Sequence, residues 1–300
     1  MTVNHIERDH IQGYWVAIAT PLTTNDTVDH ALLAAHGQQL LQQGADGLVL
    51  FGTTGEGTSF SAQERLDTIE ALMSRGIAPE RLMLGAGFPA VPDTIAATRA
   101  ALGLGLRHVL LLPPYFYRDA GDAGVEDAFA AVLDGVADDR LRAMLYHIPQ
   151  VSGVAVAPGV LASLRRRFGV QLAGVKDSSG DYAHFQAFRA AAPDAPVVIG
   201  NEADIGRALA DGGAGTICGM ANLAPALVRA MFTDPAAAGP MRDAIALMNG
   251  PFVPTLKSAL AALTGQPGWA RTRAPLRAAD PSVGERVAAG LRRLQMPLAA

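Results

Sequence analysis

Short apolar segments alternate with longer Ala/Leu-rich segments along most of this chain, and this alternation restricts its fold more than any other feature. Eight apolar or β-branched runs end in Gly, Pro or polar residues: Trp15–Ala19, Gly47–Phe51, Leu82–Ala86, His108–Leu112, Ala143–Ile148, Leu172–Lys176, Val197–Gly200 and Thr216–Cys218. Helix candidates lie between them, near residues 29–43, 61–75, 92–104, 122–137, 157–167, 181–191 and 202–211. Strands that alternate with helices in this way predict a parallel α/β sheet.

The number of these units decides between two parallel architectures. Eight βα units within about 220 residues match a (β/α)8 TIM barrel, whereas a doubly wound sheet usually has about five to seven strands. Residues 224–296 read as several more helices without another clear strand. We therefore expect residues 1–223 to form a (β/α)8 barrel and residues 224–300 to form a C-terminal helical extension.

The composition and net charge of the chain limit the cellular compartments and the binding partners that we expect for it. Half of the residues are hydrophobic and the formal net charge is −4, which gives no general attraction to nucleic acid or to anionic lipid. Cys218 is the only cysteine, so a reducing compartment is natural. The polar segment 1–12 lacks the apolar core of a signal peptide, and no apolar run of 18 residues occurs elsewhere. We expect a cytoplasmic protein with no nucleic-acid or membrane partner.

The carboxyl ends of the predicted strands are unusually polar. Because the chemistry of a TIM barrel takes place at this face, these ends hold the candidate functional residues. They are Gly52-Thr53-Thr54-Gly55-Glu56, Pro113-Pro114-Tyr115-Phe116-Tyr117, Tyr146-His147-Ile148-Pro149, Lys176-Asp177-Ser178-Ser179 and Gly200-Asn201-Glu202.

Lys176 ends an apolar run and is one of only two lysines in a chain with twenty-two arginines. A lysine among apolar groups can have its pKa lowered and act as a nucleophilic amine, whereas arginine stays protonated. Such an amine forms a Schiff base with a carbonyl substrate. The alternative is that the arginine excess reflects coding bias and that Lys176 is an ordinary charge at a strand end.

Two other segments carry groups that could act together with such an amine, one by binding a carboxylate and one by transferring protons. The loop from Gly52 carries the hydroxyls of Thr53 and Thr54 beside backbone N–H groups, which suits a small carboxylate, although a glycine-rich turn alone would explain it. Tyr146 belongs to the strand before that of Lys176, so its phenol could move protons there. A tyrosine that caps the barrel with its hydroxyl in water is the alternative.

Five segments together resemble the dihydrodipicolinate synthase / N-acetylneuraminate lyase family of pyruvate-dependent class I aldolases. They are Ala19-Thr20-Pro21-Leu22, Gly52-Thr53-Thr54-Gly55-Glu56, Leu145-Tyr146-His147-Ile148-Pro149, Gly174-Val175-Lys176-Asp177 and Gly212-Gly213-Ala214-Gly215-Thr216-Ile217. The resemblance covers nearly the whole chain. It implies a (β/α)8 barrel with C-terminal helices, a homotetramer built as a dimer of dimers, and neither a metal nor an organic cofactor.

The resemblance also implies roles for individual residues. Lys176 would form the imine with pyruvate or another 2-oxo acid, and Tyr146 would be the proton shuttle. Thr53 would belong to a hydroxyl relay with Tyr146, and Thr54 with the neighbouring amides, including that of Gly52, would bind the carboxylate. The imine would then act as an electron sink for making or breaking a C–C bond.

Departures from the family pattern bear on the substrate. The synthases have an arginine two residues beyond the proline of the Tyr146 motif, for the carboxylate of aspartate semialdehyde, but here Val151 stands there. Phe116 replaces a tyrosine that reaches a neighbouring subunit's site, so that Tyr115 or Tyr117 substitutes or the relay is altered.

Further polar groups favour a hydroxylated substrate. Ser178 supplies a hydroxyl where the synthases have a small apolar residue, and Gly200, Asn201 and Glu202 offer further binding groups. We expect cleavage or dehydration of a 2-oxo-3-deoxy sugar acid. The alternatives are 4-hydroxy-tetrahydrodipicolinate synthase activity and a non-catalytic sensor of 2-oxo acids. The seven histidines show no HxH or HExxH spacing, so a metal-dependent aldolase is not expected.

Overall fold

The computed structural model describes residues 11–294 and contains a closed barrel of eight parallel strands. The strands are β1 (Gly13–Ala17), β2 (Gly47–Leu50), β3 (Leu82–Ala86), β4 (His108–Leu111), β5 (Arg142–His147), β6 (Leu172–Asp177), β7 (Val197–Ile199) and β8 (Gly215–Cys218). Each strand pairs with the next, and β8 pairs with β1 through Trp15 and Ile217. The predicted (β/α)8 fold is confirmed.

Helices connect the strands and continue beyond the last one. Those between the strands are α1 (His30–Gln42), α2 (Ala62–Ser74), α3 (Val91–Gly103), α4 (Gly121–Val136), α5 (Pro149–Ser152), α6 (Pro158–Phe168), α7 (Tyr182–Ala191) and α8 (Ile205–Ala210). Those after β8 are α9 (Pro225–Ala230), α10 (Ala238–Ala246), α11 (Phe252–Thr264) and α12 (Pro281–Arg293). The predicted C-terminal helices are present, while the division of the chain at residue 223 stays a prediction.

Strand boundaries differ from the expected ones by up to two residues, for local reasons. β1 ends at Ala17 because the Ala19 N–H donates to the Asn222 side-chain oxygen (3.0 Å) rather than to a neighbouring strand. β2 ends at Leu50 because Phe51 takes a left-handed conformation with φ of 57°.

Two helical segments also differ from the expectation. The short helix α5 follows β5 directly and was not predicted. The helix expected over residues 202–211 is divided into a 3-10 turn, Glu202–Asp204, and α8. The helix α2 begins with a capping box, in which the Ser61 hydroxyl accepts from the Glu64 N–H and the Glu64 carboxylate accepts from the Ser61 N–H.

The apolar core has two parts that meet at the barrel wall. Side chains that point into the barrel form the smaller part, and those between strands and helices form the larger one. On β5, Met144 and Tyr146 belong to the interior, and Ala143 and Leu145 to the outer layer. This alternation follows from the period of two along a strand. No helix within residues 11–294 is long and apolar enough to cross a membrane.

Candidate active site

Lys176 and Tyr146 lie side by side inside the carboxyl end of the barrel. They occupy paired positions on the adjacent strands β6 and β5. Lys176 is 4% exposed and Tyr146 3%, and the Lys176 Nζ lies 4.2 Å from the centre of the Tyr146 ring. The two residues that the sequence singled out are therefore in direct contact.

This pairing depends on an irregularity in β6. Ala143 pairs with Leu172, but the next residue, Met144, pairs with Gly174, so that β6 contains one additional residue. Without this bulge, Tyr146 would pair with Val175. Because one residue of register exchanges the two faces of a strand, the bulge is what places Lys176 opposite Tyr146.

The hydroxyl of Tyr146 contacts the loop that follows β2. The Thr53 Oγ1 and the Tyr146 phenol oxygen are 3.1 Å apart, within hydrogen-bonding distance. The loop is closed by hydrogen bonds from the Gly57 N–H to the Gly52 carbonyl and from the Glu56 N–H to the Thr53 carbonyl, each of 3.1 Å. The residues Thr53 and Thr54 are thus held on a compact turn.

Thr54 occupies the same loop and faces the end of β8. Its side chain is buried, and its Oγ1 lies 3.1 Å from the position that a Cβ would take on Gly219. Gly219 immediately follows β8, so the Thr54 hydroxyl is enclosed between the β2 and β8 loops. The Phe252 ring packs on Gly219 at the same place, 2.8 Å from that Cβ position.

Gly200 and Ser178 border Lys176 on its other side. A Cβ on Gly200 would lie 1.9 Å from the Ser178 Oγ and 3.2 Å from the Lys176 Cε. The Ser178 hydroxyl and the lysine side chain therefore share a space that only a glycine leaves open. The structure brings Lys176, Ser178 and Gly200 together as expected.

Glu202 and Asn201 are engaged within the protein itself. The Glu202 Oε1 accepts hydrogen bonds from the N–H groups of Gly219 (3.0 Å) and Met220 (2.9 Å) and so holds the loop after β8. Burial raises the pKa of Glu202, and these amides and the charge of Lys176 act in the opposite direction. The Asn201 side chain caps its own turn, through the Ala203 N–H and the Asp204 carboxylate.

The residues after β4 and β5 lie at the rim of the barrel. Tyr115 is half-buried and interacts electrostatically with the buried guanidinium of Arg65. Phe116 and Tyr117 are 74% and 72% exposed, and Val151 on α5 is 60% exposed. At Phe116, Tyr117 and Val151 the rim therefore exposes uncharged side chains.

His147 points away from the site, as its position on the strand predicts. Its ring packs on His184 and Phe188 of α7, and its Nδ1 accepts from the Val156 N–H (3.0 Å). Burial, with a contribution from His184, lowers the pKa of His147 to about 4. Within residues 11–294, the His, Cys, Asp and Glu side chains form no group of three or more that could hold a metal ion.

The sequence of residues 10–266, most of the chain, matches the family model described as the dihydrodipicolinate synthetase family. The chain belongs to the dihydrodipicolinate synthetase family. This confirms the resemblance found from the sequence motifs. It also confirms the expected enzyme class, because members of this family are lyases and aldolases.

Individual members of the family align over most of their length. An uncharacterized DapA-like lyase from Chloroflexus aurantiacus is 37% identical over 261 residues, which cover 83% of this chain and 86% of the relative. A 4-hydroxy-tetrahydrodipicolinate synthase from Exiguobacterium sibiricum is 31% identical and covers 73% of each chain. The crystal structure of dihydrodipicolinate synthase from Agrobacterium tumefaciens superposes with a TM-score of 0.89 at 32% identity, over 95% of this chain and 99% of that one.

A buried pair of charged residues beside the candidate site was not predicted from the sequence. Lys257 of α11 binds the carboxylate of Glu56, and both side chains are fully buried. Glu56 ends the predicted Gly52–Glu56 motif but was given no role. The signal for Lys257 is its place within the apolar helix Phe252–Thr264, because a buried lysine requires a partner.

Proposed function

We propose that this chain is a pyruvate-dependent Schiff-base lyase that cleaves or dehydrates a 2-oxo-3-deoxy sugar acid through an imine at Lys176. The contact of the Lys176 Nζ with the Tyr146 ring, whose hydroxyl lies 3.1 Å from Thr53, is the observation that carries the proposal. It combines a buried amine with a hydroxyl pair that can transfer protons.

The proposed reaction assigns one task to each group. The Lys176 amine adds to the C2 carbonyl of the 2-oxo acid, and loss of water gives the imine. As the C3–C4 bond breaks, its electron pair moves into the imine to form an enamine, and the C4 hydroxyl loses its proton to the Tyr146–Thr53 pair. Protonation of the enamine at C3 and hydrolysis of the imine then release pyruvate and restore Lys176.

The substrate carboxylate is assigned to the loop after β2. The Glu56 and Gly57 N–H groups close this turn, and we assign the Thr54 hydroxyl and the N–H groups of the loop residues before Glu56 as donors for the anion. This arrangement holds the carboxylate at one end of the substrate and leaves the C2 carbonyl for Lys176.

The preference for a sugar acid depends on groups at the other end. Ser178 places a hydroxyl directly beside Lys176. Val151 is exposed and apolar, so it offers no partner to a second carboxylate. Relatives that carry the name 4-hydroxy-tetrahydrodipicolinate synthase favour that activity as the second candidate.

Trapping with borohydride tests the imine. We expect pyruvate with borohydride to modify Lys176 irreversibly, as read by peptide mass spectrometry, and Lys176→Met to abolish the modification. Because Lys257 is the only other lysine in the chain, the modified position is assigned without ambiguity. Absence of modification at Lys176 would remove both the lyase and an imine-forming sensor.

A substrate panel separates the remaining candidates. It consists of 2-oxo-3-deoxy acids of different length, N-acetylneuraminate, and pyruvate with aspartate semialdehyde. Release of pyruvate or dehydration of a 2-oxo-3-deoxy acid supports the proposal, whereas consumption of aspartate semialdehyde supports the synthase. Trapping at Lys176 without turnover of any panel member would instead support the sensor.

We also propose that the protein is a homo-oligomer, with a dimer of dimers as the expected form, and that it is cytoplasmic. The exposed rings of Phe116 and Tyr117 pack edge to face at 5.3 Å on the barrel rim and form an apolar surface suited to a second copy. Sedimentation velocity should show an assembly that Phe116→Glu weakens. A monomer at micromolar concentration would contradict this part of the proposal.

A further inference from the structure

Lys257 lies in the middle of α11, far along the chain from the candidate site, and its amine is directed at Glu56. Both side chains of this pair are 0% exposed. Burial lowers the pKa of Lys257, and the Glu56 carboxylate opposes this effect. The second lysine of the chain is therefore held as one half of a water-excluded ion pair.

The Glu56 carboxylate has a second partner from the same end of the chain. Its Oε2 accepts a hydrogen bond of 3.0 Å from the N–H of Arg273, in the segment between α11 and α12. The Arg273 guanidinium binds Glu64 at 2.7 Å and packs on the Phe60 ring at 4.2 Å. Two groups from the C-terminal helical region thus bind both oxygens of one carboxylate.

Glu56 is directly connected to the predicted site residues. Its N–H donates to the Thr53 carbonyl, and its own backbone is left-handed with φ of 56°. The preceding carbonyl, of Gly55, accepts from the Thr20 hydroxyl at 2.9 Å. A shift of the Glu56 carboxylate would therefore move the turn that carries Thr53 and Thr54.

Stability alone is a weak explanation for such a pair. A buried ion pair loses much of its Coulomb gain to desolvation, and apolar residues of similar volume often stabilise a fold equally well. Unlike an apolar contact, the hydrogen bonds of this pair depend on direction, so they fix the position of the Glu56 carboxylate. The Phe252 ring, at the start of the same helix, also packs on Gly219 beside the Thr54 hydroxyl.

We propose that Lys257 is a positioning residue that acts through Glu56 to hold the Thr53–Thr54 turn in the geometry that binds the substrate carboxylate. The C-terminal helical region is then part of the active site, although it supplies no group that touches the substrate. This inference rests on the proposed function, because it assigns the carboxylate to this turn. It adds a role for α11 that the imine chemistry does not require.

The decisive variant replaces both partners, Glu56→Gln with Lys257→Met. It removes the ion pair without leaving one buried charge unpaired, which alone would strongly destabilise the fold. Ser258→Ala, on the same helix but facing Gly284 of α12, is the matched control. The readouts are the melting temperature, kcat, KM, and the pyruvate concentration that gives half-maximal borohydride trapping at Lys176.

We expect the double variant to stay folded and to need at least about tenfold more pyruvate for half-maximal trapping. Because the carboxylate contact is present in both the substrate and the transition state, KM should rise more than kcat falls. Ser258→Ala should leave both quantities unchanged.

Two results would overturn the positioning role. One is a double variant whose half-maximal pyruvate concentration equals that of the unaltered protein. The other is a double variant that does not fold, which would make the pair a requirement of the whole barrel. If the unaltered protein is not trapped at all, the proposed function fails first, and this control distinguishes the two failures.

Discussion

At the scale of single residues, Gly200 shows how little space surrounds the candidate nucleophile. Its missing side chain leaves room for the Ser178 hydroxyl and for the end of Lys176. The sequence predicts Gly200 as a binding residue because it ends a strand, and the structure adds that its lack of a side chain leaves this space open. A change at this position therefore tests the geometry around the amine without altering any polar group.

Gly200→Ala should slow imine formation. The added methyl would lie 1.9 Å from the Ser178 Oγ, so Ser178 or Lys176 must move. We expect trapping by pyruvate and borohydride to slow by about tenfold or more, since small displacements of reacting groups are costly. Gly239→Ala on α10, where a Cβ meets nothing within 4 Å, is the control. Equal trapping rates in the two variants would show that the space is not critical.

Tyr146→Phe isolates the phenol hydroxyl. The ring and its contact with Lys176 remain, but the hydrogen bond to Thr53 is lost. We expect turnover to fall by about 10²- to 10⁴-fold, the usual loss for a proton-transfer group, with little change in melting temperature. Tyr182→Phe, which removes a surface hydroxyl bound to Asp211, should retain full activity. Near-full turnover in Tyr146→Phe would remove the hydroxyl from the mechanism.

At the scale of elements, the bulge in β6 controls which side chains face the barrel interior. Gly174 lies in it with φ of 138°, and a Cβ there would lie 2.0 Å from the Pro196 carbonyl oxygen. The backbone conformation and the close approach of Pro196 both require glycine. The orientation of Lys176 therefore depends on the bulge at Gly174, two residues before it in β6.

Gly174→Ala should damage both the fold and the site. Strain in the backbone and the contact with Pro196 together should reduce the free energy of unfolding by about 3 kcal/mol. Urea unfolding measures this loss. If the variant folds, we expect its pyruvate trapping to be weaker than that of a variant equally destabilised elsewhere, because Lys176 loses its register with Tyr146. Normal trapping by the folded variant would mean that another strand geometry presents the lysine equally well.

The same element shows how far the sequence could predict the site. The order of strands predicted that Tyr146 and Lys176 would be neighbours, because sequential strands pair in a TIM barrel. The bulge was not predictable from alternation, since Leu172 and Lys176 are four residues apart and an ideal strand would give both the same face. The Lys257–Glu56 pair joins residues 201 positions apart, and local patterns carry no information on such a contact.

At the scale of the whole molecule, His36 links three regions that are distant in sequence. It lies on α1, its Nε2 is 3.3 Å from the Asn222 Oδ1 after β8, and its ring packs edge-on against Trp269. Asn222 in turn binds the backbone of Ala17 and Ala19 near β1. This buried centre holds the first strand, the last strand and the C-terminal helices together.

The charge state of His36 should make the whole fold sensitive to acid. Burial lowers the pKa of His36 from 6.5 to about 4, so the folded protein keeps this ring neutral. Between these pH values the unfolded chain binds a proton that the folded chain does not, so stability is lost as the pH falls from 6.5 towards 4.

We expect His36→Gln to show a shallower pH dependence in urea unfolding. By pH 4 the difference from the unaltered protein, relative to pH 7, should approach about 3 kcal/mol. Some acid sensitivity should remain in the variant, because burial also lowers the pKa of His147 to about 4. Parallel pH profiles for the two proteins would mean that His36 does not titrate in this range.

The two lysines of the chain are both buried, at 4% and 0% exposure, and this decides how the protein responds to labelling reagents. A bulky amine-reactive dye has no exposed lysine to modify while the barrel is intact. We expect Lys176, which is 4% exposed at the carboxyl end of the barrel, to react with such a dye only when that end opens, and Lys257 only when α11 separates from the barrel. The rate at which each lysine is labelled therefore reports a different opening of the molecule, one at its mouth and one along its C-terminal helices.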